Sequence, residues 1–240
     1  MKSAFFISDV HLVNMASPTG EALLSLVKLA QKEAELFVIL GDLFDIWIGE
    51  GKAFQAEYAP LIAELKTLRN TCRIIYFEGN HDLHLKKFWQ SQLEFEIPTG
   101  PMKIDYHDIK IWAEHGDEIN RKDYDYLFLR WFLRTPPMKL LIENLPSQLV
   151  FNVGHKASHA SRQYTEKIKN DSKDIARTYA LGLSMKQEFD LLLTGHTHIA
   201  DDFEFETSSR KARLINLGSW FDGPHYLRVS PAGQITHQKI

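Results

Sequence analysis

Five short clusters of aspartate, asparagine and histidine constrain this chain more than any other feature of its sequence. In chain order they are DVH (9–11), GDLFD (41–45), GNHD (79–82), HGD (115–117) and GHTH (195–198). Each cluster comes directly after a short apolar run that is typical of a buried strand. Because sites in open α/β sheets form at the carboxyl ends of the strands, we expect the five clusters to meet.

The apolar runs alternate with amphipathic segments, which predicts an α/β fold with a largely buried sheet. Apolar residues recur at helical spacing in 21–35 and in 58–68. We predict strands over the following ranges: 4–8, 36–40, 73–77, 109–114 and 190–194. Two further predicted strands, 212–217 and 226–229, are punctuated by glycine and proline and are typical of antiparallel sheet.

Residues 120–182 interrupt this alternation and are predicted to be wholly helical. They contain 11 lysines and arginines against 6 aspartates and glutamates, whereas the formal net charge of the whole chain is -3. Their apolar stretches include LFLRWFL (127–133) and PPMKLLIENL (136–145). We expect a helical insertion that forms a cap within one domain spanning 1–240. Alternatively, the basic residues form a solvated helix face, and the apolar stripes pack on the core or on a partner subunit.

Composition excludes several classes of protein. No global basic field is present, so we expect no nucleic-acid partner. The single cysteine, Cys72, excludes a disulfide within the chain and fits a reducing compartment. The first apolar run is interrupted by Asp9 and is too short for a signal-peptide core. No stretch approaches the roughly 18 to 20 apolar residues of a membrane span.

We therefore expect a cytoplasmic protein. A further hypothesis is peripheral contact with the inner membrane through the cap, because apolar and basic residues occur there together. The apolar residues on which this hypothesis rests are Trp131, Phe132, Leu133 and Met138.

The residue types in the clusters favour a metal site. Carboxylate, amide and imidazole donors suit Mn, Fe or Zn and disfavour soft metals. Each cluster alone has an ordinary alternative: Asp-x-His arises by chance, GDLFD fits a turn with a helix N-cap at Asp45, and GNHD fits a tight turn. The two histidines of GHTH would point the same way on an extended chain. Five clusters in order, each after a predicted strand, favour the metal site over these alternatives.

This ordered set of motifs resembles that of the calcineurin-like metallophosphoesterases. The resemblance implies a two-sheet β-sandwich flanked by helices, with the helical cap inserted in it. It also implies two divalent metal ions, with Mn²⁺ expected and Fe²⁺ or Zn²⁺ as alternatives. Carried over by position, the ligands of the first ion are Asp9, His11, Asp42 and His198. The ligands of the second ion are Asp42, Asn80, His115 and His196, so that Asp42 bridges the two.

A pair of ions held in this way implies hydrolysis of a phosphoester. Two ions about 3.5–4 Å apart can activate water and stabilise the charge that develops on a phosphoryl group. We expect His81 to act as the catalytic acid, by protonating the leaving group or binding a phosphate oxygen. We expect Asp82 to assist catalysis by orienting its neighbours. The alternative for His81 is a loop residue with no role in proton transfer.

Parts of the chain are also similar to UDP-2,3-diacylglucosamine diphosphatases, which belong to the lipid A pathway of Gram-negative bacteria. The similar stretches are GDLFDIWIGEG (41–51), HGDEINRKDYDYLFLR (115–130) and NLGSW (216–220). This resemblance implies that acyl chains lie between cap and core and that basic cap residues meet the nucleotide phosphates. The substrate-binding residues that it implies are Asn80, His81, Asp123, Tyr126, Arg130, Lys167 and His196.

Three functions fit these observations. The first is cleavage of the diphosphate of UDP-2,3-diacylglucosamine, or of a related lipid-linked nucleotide, to UMP and a lipid phosphate. The second is hydrolysis of another nucleotide or small phosphoester. It is favoured by His81, which agrees with the broader phosphoesterase pattern, whereas the best-known diphosphatases carry arginine there. The third is a non-catalytic scaffold, and the intact ligand set argues against it.

Overall fold

Two five-stranded sheets flanked by helices make up the computed structural model, which describes residues 2–50, 52–146, 169–207 and 210–240. The strands are β1 (Ser3–Ile7), β2 (Ala34–Ile39), β3 (Trp47–Ile48), β4 (Arg73–Tyr76), β5 (Asp82–Leu83), β6 (Met102–Tyr106), β7 (Ile109–Ala113), β8 (Leu191–Thr194), β9 (Asp201–Glu206), β10 (Lys211–Asn216), β11 (His225–Val229) and β12 (Ile235–Lys239). The α-helices are α1 (Pro18–Glu33), α2 (Lys52–Glu57), α3 (Ala59–Arg69), α4 (Tyr124–Leu133), α5 (Pro136–Asn144) and α6 (Lys169–Ser184). A π-helical turn spans Lys86–Gln90, and a 3-10 turn spans Trp220–Asp222.

Both sheets combine parallel and antiparallel strands. The first sheet has the order β12-β11-β1-β2-β4, in which β1, β2 and β4 are parallel. The second has the order β6-β7-β8-β10-β9, in which β7, β8 and β10 are parallel. Parallel neighbours need long crossover connections, and α1 and α3 supply two of them in the first sheet. The predicted fold, a two-sheet sandwich flanked by helices, is confirmed.

Apolar side chains from both sheets share the layer between them. Ala4 and Phe6 of β1 belong to the same buried cluster as Leu191 and Leu193 of β8. Successive residues of a strand face opposite sides, so Phe5 belongs instead to the layer under α1 and α3. Burial on both faces makes the central strands continuous apolar runs, which is why the sequence pattern indicates them clearly.

Helix α1 shows how local signals set the ends of an element. The side chain of Ser17 accepts a hydrogen bond from the Gly20 N–H at 3.1 Å, and Pro18 occupies the first turn. The helix therefore starts at Pro18, three residues before the range predicted from apolar spacing alone. The apolar face is buried as expected, through Leu23, Leu26, Val27 and Ala30.

The C-terminal strands differ from their prediction. β10 and β11 lie in different sheets, and β10 is parallel to β8 as well as antiparallel to β9. The expected antiparallel pairing holds for β11, which lies between β1 and β12. The prediction was wrong for the pairing with β8, because a strand pattern records burial and not the identity of the partner.

Helices α4 and α5 lie within the predicted insertion, and α6 begins there. Residues 147–168 are outside the described ranges, so the limits 120–182 of the cap stay a prediction. Helix α4 has no buried residue, and its outer face exposes Tyr124, Phe128 and Trp131. In contrast, α6 packs Ala176 and Ala180 against the second sheet. Within the described ranges, no helix has the length and apolar character to cross a membrane.

Candidate metal centre

Loops that follow five strands bring the seven predicted ligands together at one end of the sandwich. The loops after β1, β2 and β4 come from the first sheet, and those after β7 and β8 come from the second. The site therefore lies across the mouth of the sandwich and not along the edge of a single sheet. The side chains that meet there are Asp9, His11, Asp42, Asn80, His115, His196 and His198.

The backbone of these loops is unusual. Five of the seven residues have left-handed φ values: Asp9 (51°), His11 (49°), Asp42 (52°), His196 (68°) and His198 (57°). Non-glycine residues seldom adopt this conformation, which costs about 1–3 kcal/mol each and is concentrated at functional sites. The expectation that the GHTH histidines point the same way on an extended chain was wrong, because neither of them is extended.

Asp9, His11, Asp42 and His198 form one group, the first subsite. One possible ligand atom from each residue lies within 4.8 Å of those from the others. The Nε2 atoms of His11 and His198 are 2.9 Å apart, and His198 Nε2 is 3.3 Å from Asp9 Oδ1. Two imidazole nitrogens facing each other beside buried carboxylates form a donor set that fits a divalent cation.

Asp42, Asn80, His115 and His196 form the second subsite. Asn80 Oδ1 lies 3.2 Å from His115 Nε2 and 3.0 Å from His196 Nδ1. The other ring nitrogen of His115, Nδ1, donates a hydrogen bond to the Leu40 carbonyl oxygen at 2.7 Å. A carbonyl oxygen only accepts, so this contact orients the ring and leaves Nε2 for a cation.

The protonation of the second subsite also fits a cation. Burial, together with the positive charge of His115, lowers the pKa of His196 to about 4, so the His196 ring is neutral near pH 7. Burial opposes protonation of His115, yet the charges of Asp42 and Asp117 raise its pKa. A divalent cation would take the place of the proton that these carboxylates favour.

Asp42 lies between the two subsites. Its Oδ1 accepts a hydrogen bond from the His81 backbone N–H at 2.8 Å. Its Oδ2 is 3.8 Å from His11 Nε2 and 3.6 Å from His115 Nε2. One carboxylate oxygen thus faces a histidine of each subsite, which is the position that a bridging ligand needs.

Two glycines allow the loops to approach this closely. A Cβ atom on Gly79 would overlap Asp42 Oδ1, and a Cβ atom on Gly195 would overlap Ser8 Oγ and Asp9 Oδ2. Any larger residue at either position would displace a carboxylate of the centre.

His81 lies beside the first subsite. Its ring is buried, and Nδ1 donates a hydrogen bond to the Asp45 carbonyl oxygen at 2.8 Å. The nitrogen left to exchange a proton is therefore Nε2. The ring meets the His11 ring edge to face, with centroids 4.7 Å apart. Asp45 is buried and the chain continues into β3, so the alternative of a helix N-cap at Asp45 was wrong.

The fully buried carboxyl group of Asp82 holds the loop that carries Asp42. Its Oδ2 accepts hydrogen bonds from the Leu43 N–H and the Tyr76 hydroxyl, each at 2.6 Å, and its Oδ1 accepts one from the Phe44 N–H at 3.2 Å. Burial raises the pKa of Asp82 well above its usual range, and the charge of Asp42 adds to the effect. These contacts make Asp82 a positioning residue for the loop.

The predicted substrate-binding residues of the cap have partners within the chain. Asp123 caps α4 by accepting a hydrogen bond from the Tyr126 N–H at 3.2 Å. The Tyr126 hydroxyl and Arg130 Nε both donate to Asp117 Oδ2, at 2.9 and 2.5 Å. Lys167 lies outside the described residues. Contacts of these residues with a substrate stay predictions.

Three residues at the site had no predicted role. Asp117 is buried, Arg134 Nη2 donates to the Gly79 carbonyl oxygen at 2.9 Å, and the Phe221 ring is stacked on His11 at 5.2 Å. Asp117 stands inside the HGD motif, and Arg134 follows Arg130 by four residues, so both had a sequence signal. No sequence pattern indicates the contact of Phe221.

A cavity of about 310 Å³ adjoins the second subsite. Its wall includes His115, Asp117 and the loop 98–101. Four cationic side chains line it (Lys86, Arg130, Arg134 and Lys139), together with four carboxylates (Glu78, Glu114, Asp117 and Glu118). A space of this size with charged walls is compatible with a polar group next to the candidate metal centre.

Comparison with known proteins agrees with this geometry. The family profile described as calcineurin-like phosphoesterase matches residues 3–200. The chain belongs to the calcineurin-like phosphoesterase family. Members of this family bind divalent metal ions, and the buried aspartates and histidines fit such ions. This phosphoesterase is therefore a metal-dependent hydrolase, and the scaffold hypothesis is not needed.

Curated relatives match almost the whole phosphoesterase. The UDP-2,3-diacylglucosamine hydrolase of Psychromonas ingrahamii is 26% identical over 226 residues, which cover 93% of this chain and 92% of that protein. The hydrolase of the same name from Ectopseudomonas mendocina is 29% identical over 216 residues, covering 89% and 88%. That from Coxiella burnetii (strain RSA 331) is 25% identical over 238 residues, covering 99% and 98%.

Proposed function

We propose that this phosphoesterase cleaves the diphosphate of UDP-2,3-diacylglucosamine, or of a closely related lipid-linked nucleotide, to UMP and a lipid phosphate. The observation that carries the proposal is similarity to hydrolases of that name over nearly the whole chain, the cap region included. The reaction consumes one water molecule: its oxygen ends on one phosphorus, and the P–O–P bridge opens.

In this proposal the seven ligands bind two divalent ions, one in each subsite. Divalent ions bound there, Mn²⁺ in this proposal, supply Lewis acidity that acidifies water and offsets negative charge on a phosphoryl group. The first subsite would hold one ion and the second subsite would hold the other. Asp42 Oδ2 faces a histidine of each subsite and would be shared between the ions, and the glycines at 79 and 195 leave room for the carboxylates of Asp42 and Asp9.

His81 supplies the proton in this proposal. Its Nδ1 is held by the Asp45 carbonyl, so Nε2 is the atom that carries a proton to the departing phosphate oxygen. Burial of the ring keeps bulk water from competing for that proton. Asp82 has no part in proton transfer, because Leu43, Phe44 and Tyr76 engage its oxygens.

The two ends of the substrate have different surroundings. In the cavity beside His115, Arg130 and Arg134 lie against Asp117 and Glu78, and the proposal places the nucleotide phosphate near the other two cations of the wall, Lys86 and Lys139. The apolar residues of α4 and α5 suit acyl chains, which need a surface that water does not wet. Exposed members of that apolar set are Phe128, Leu129, Trp131, Phe132, Leu140 and Leu141.

Substrate class is tested by measuring UMP release with Mn²⁺ from UDP-2,3-diacylglucosamine and from the same sugar nucleotide without acyl chains. We expect the acylated substrate to react at least tenfold faster in kcat/KM. Equal rates would contradict the lipid proposal and support the alternative, a nucleotide or small phosphoester. Failure to hydrolyse either compound or a generic aryl phosphate would contradict the assignment of the centre itself.

The same apolar face supports peripheral contact with a membrane. Trp131 and Phe128 are more than half exposed, and Lys139 on α5 adds positive charge. An anionic surface would attract that charge and accept the aromatic rings. We expect sedimentation with phosphatidylglycerol vesicles and its loss in a double variant, Phe128→Ser with Trp131→Ser. A wild-type protein that stays in the supernatant would remove membrane contact from the proposal.

A further inference from the structure

One face of α4 contacts two loops, the loop after β4 and the loop after β7. Each of these loops carries a ligand that belongs only to the second subsite, Asn80 or His115. Tyr126, Arg130 and Arg134 are spaced four residues apart, so their side chains lie along one face of the helix. Arg134 is the C-cap residue and keeps a right-handed helical backbone. We call these three residues the inner face of α4.

The inner face meets the loop after β7 at Asp117, two residues beyond His115. Tyr126 and Arg130 both donate hydrogen bonds to Asp117 Oδ2, and Arg130 Nη1 lies 2.8 Å from Glu118 Oε1. Bonds from a guanidinium to a carboxylate are among the stronger hydrogen bonds in proteins, and this pair is largely shielded from water. The position of α4 therefore bears directly on the backbone that follows His115.

The inner face also meets the loop after β4, one residue before Asn80. Arg134 Nη2 donates to the Gly79 carbonyl oxygen at 2.9 Å, and Arg134 Nε lies 3.7 Å from Glu78 Oε2. The ring of Tyr126 lies beside the ring of His196, with centroids 5.5 Å apart. The inner face is thus next to Asn80, His115 and His196, the three ligands that the second subsite does not share.

Outside the inner face, the side chains of α4 make little apolar contact with the core. It has no buried residue, and Phe128 and Trp131 face outward. Apolar packing, which fixes most helices, is therefore a minor part of its attachment. Polar contacts to Asp117, Gly79 and His84 hold the helix instead, and those to Asp117 and Gly79 lie beside the second subsite.

From this arrangement we infer that the inner face of α4, acting through Asp117, is a positioning device for the second subsite and not for the first. Asp117 is a positioning residue here, because it accepts hydrogen bonds from the cap and lies two residues after His115. A movement of the cap would therefore change the position of His115. A shift of the cap would change how tightly the second ion is held, while the first ion would keep its affinity. The inference rests on the ligand assignment of the proposed function.

The test measures Mn²⁺ binding by titration calorimetry with the full chain, without any substrate. We expect two ions per wild-type chain, and we expect Asp117→Asn to weaken one of them about tenfold and leave the other unchanged. Tyr126→Phe, which removes a single hydroxyl, should weaken the same ion severalfold. Asp125→Asn is the matched control, because Asp125 is an exposed residue of the same helix.

Single-subsite backgrounds assign the weakened ion. His196→Ala removes a ligand of the second subsite, and in that background Asp117→Asn should not change the affinity of the remaining ion. His198→Ala removes a ligand of the first subsite, and there Asp117→Asn should again cost about tenfold. Thermal unfolding of the metal-free variants shows whether a change reflects general loss of structure, and Tyr126→Phe provides the readout if Asp117→Asn does not fold.

Two results would overturn the inference: equal weakening of both ions by Asp117→Asn, or unchanged binding of two ions by both variants. Failure of the proposed function gives a different result. A wild-type chain that binds fewer than two ions would contradict the ligand assignment, and the inference with it. Two ions bound normally, together with no hydrolysis of any phosphoester, would contradict the function while the binding data still support the inference.

Discussion

The two subsites of the metal centre are built by different parts of the molecule. The first subsite draws on loops of the core, and three of its four residues are buried to 2% exposure or less. The second subsite draws on core loops as well, but the cap lies against those loops through Asp117 and Gly79. Within the described residues, one ion site thus rests on core loops, while its neighbour also depends on contacts with an inserted helix.

Backbone conformation also differs between the two subsites. All four residues of the first subsite have left-handed backbone, whereas in the second subsite only Asp42 and His196 do. Left-handed backbone at aspartate or histidine persists only where the surroundings hold it in place. In the second subsite, Asn80 and His115 lack that backbone, and the hydrogen bonds from α4 reach their neighbours in the chain, Gly79 and Asp117.

The largest effect is expected from the residue that the subsites share. Asp42→Ala removes the oxygen that faces both His11 and His115. We expect hydrolysis of an aryl phosphate to fall at least 10³-fold and the Mn²⁺ content to fall below one ion per chain. Asp105→Ala, an exposed aspartate of β6, is the control. A variant that keeps two ions would show that Asp42 is not the bridge.

A second prediction separates proton transfer from metal binding. His81→Gln removes an ionisable nitrogen beside the first subsite but no proposed ligand. We expect kcat to fall about 10²-fold, because a positioned acid typically contributes that much, while both ions stay bound. The measurement is kcat against pH together with metal content. Loss of an ion along with activity would mean that His81 is a ligand of the first subsite and that this subsite has more ligands than proposed.

A third prediction concerns the aromatic ring next to the first subsite. The ring of Phe221 is stacked on His11 and also meets His198. We expect Phe221→Ala to weaken the first ion about threefold to tenfold, because ring contacts contribute about 0.5–1.5 kcal/mol. The second ion should be unaffected, and Phe128→Ala on the outer face of α4 serves as the matched control. Weakening of both ions would mean that the subsites are coupled.

The smallest effect concerns stability on the cap side. His84 Nε2 donates to the carbonyl oxygen of Leu133 at 3.1 Å, and burial lowers the pKa of His84 below its ordinary value of 6.5. The unfolded chain therefore binds the proton more readily, so His84 reduces stability as pH falls below about 6.5 and has no such effect above it. We expect the unfolding free energies of wild type and His84→Gln to converge as the pH falls below about 6.5. A constant difference from pH 7.5 to 5.5 would contradict the shift.

Much of the fold could be predicted from the sequence. Strands β1, β2, β4, β7 and β8 were predicted to within about two residues at each end. Their long apolar runs follow from burial on both faces, which is a property of the segment itself. Strand β9 was not predicted, because its exposed acidic residues hide the alternation of Phe203 and Phe205.

The sequence was sufficient to name the residues of the candidate centre. It was not sufficient to predict how they are arranged in space. Aspartate, asparagine and histidine after five strands are visible in the motifs. Nothing in GHTH indicates that its two histidines turn to different subsites, since that depends on left-handed backbone at both. The contact between Phe221 and His11 joins residues 210 positions apart, beyond any local pattern.

The amino-acid sequence specifies the ligand-type residues, their order along the chain and the family to which the chain belongs. The fold establishes that two sheets share the centre, that Asp42 Oδ2 lies between the subsites, and that α4 contacts loops of the second subsite. The physical reason is that a local pattern records the burial and periodicity of its own segment. Which segments meet is chosen by the packing of the whole chain, where many weak contacts between distant residues are satisfied together.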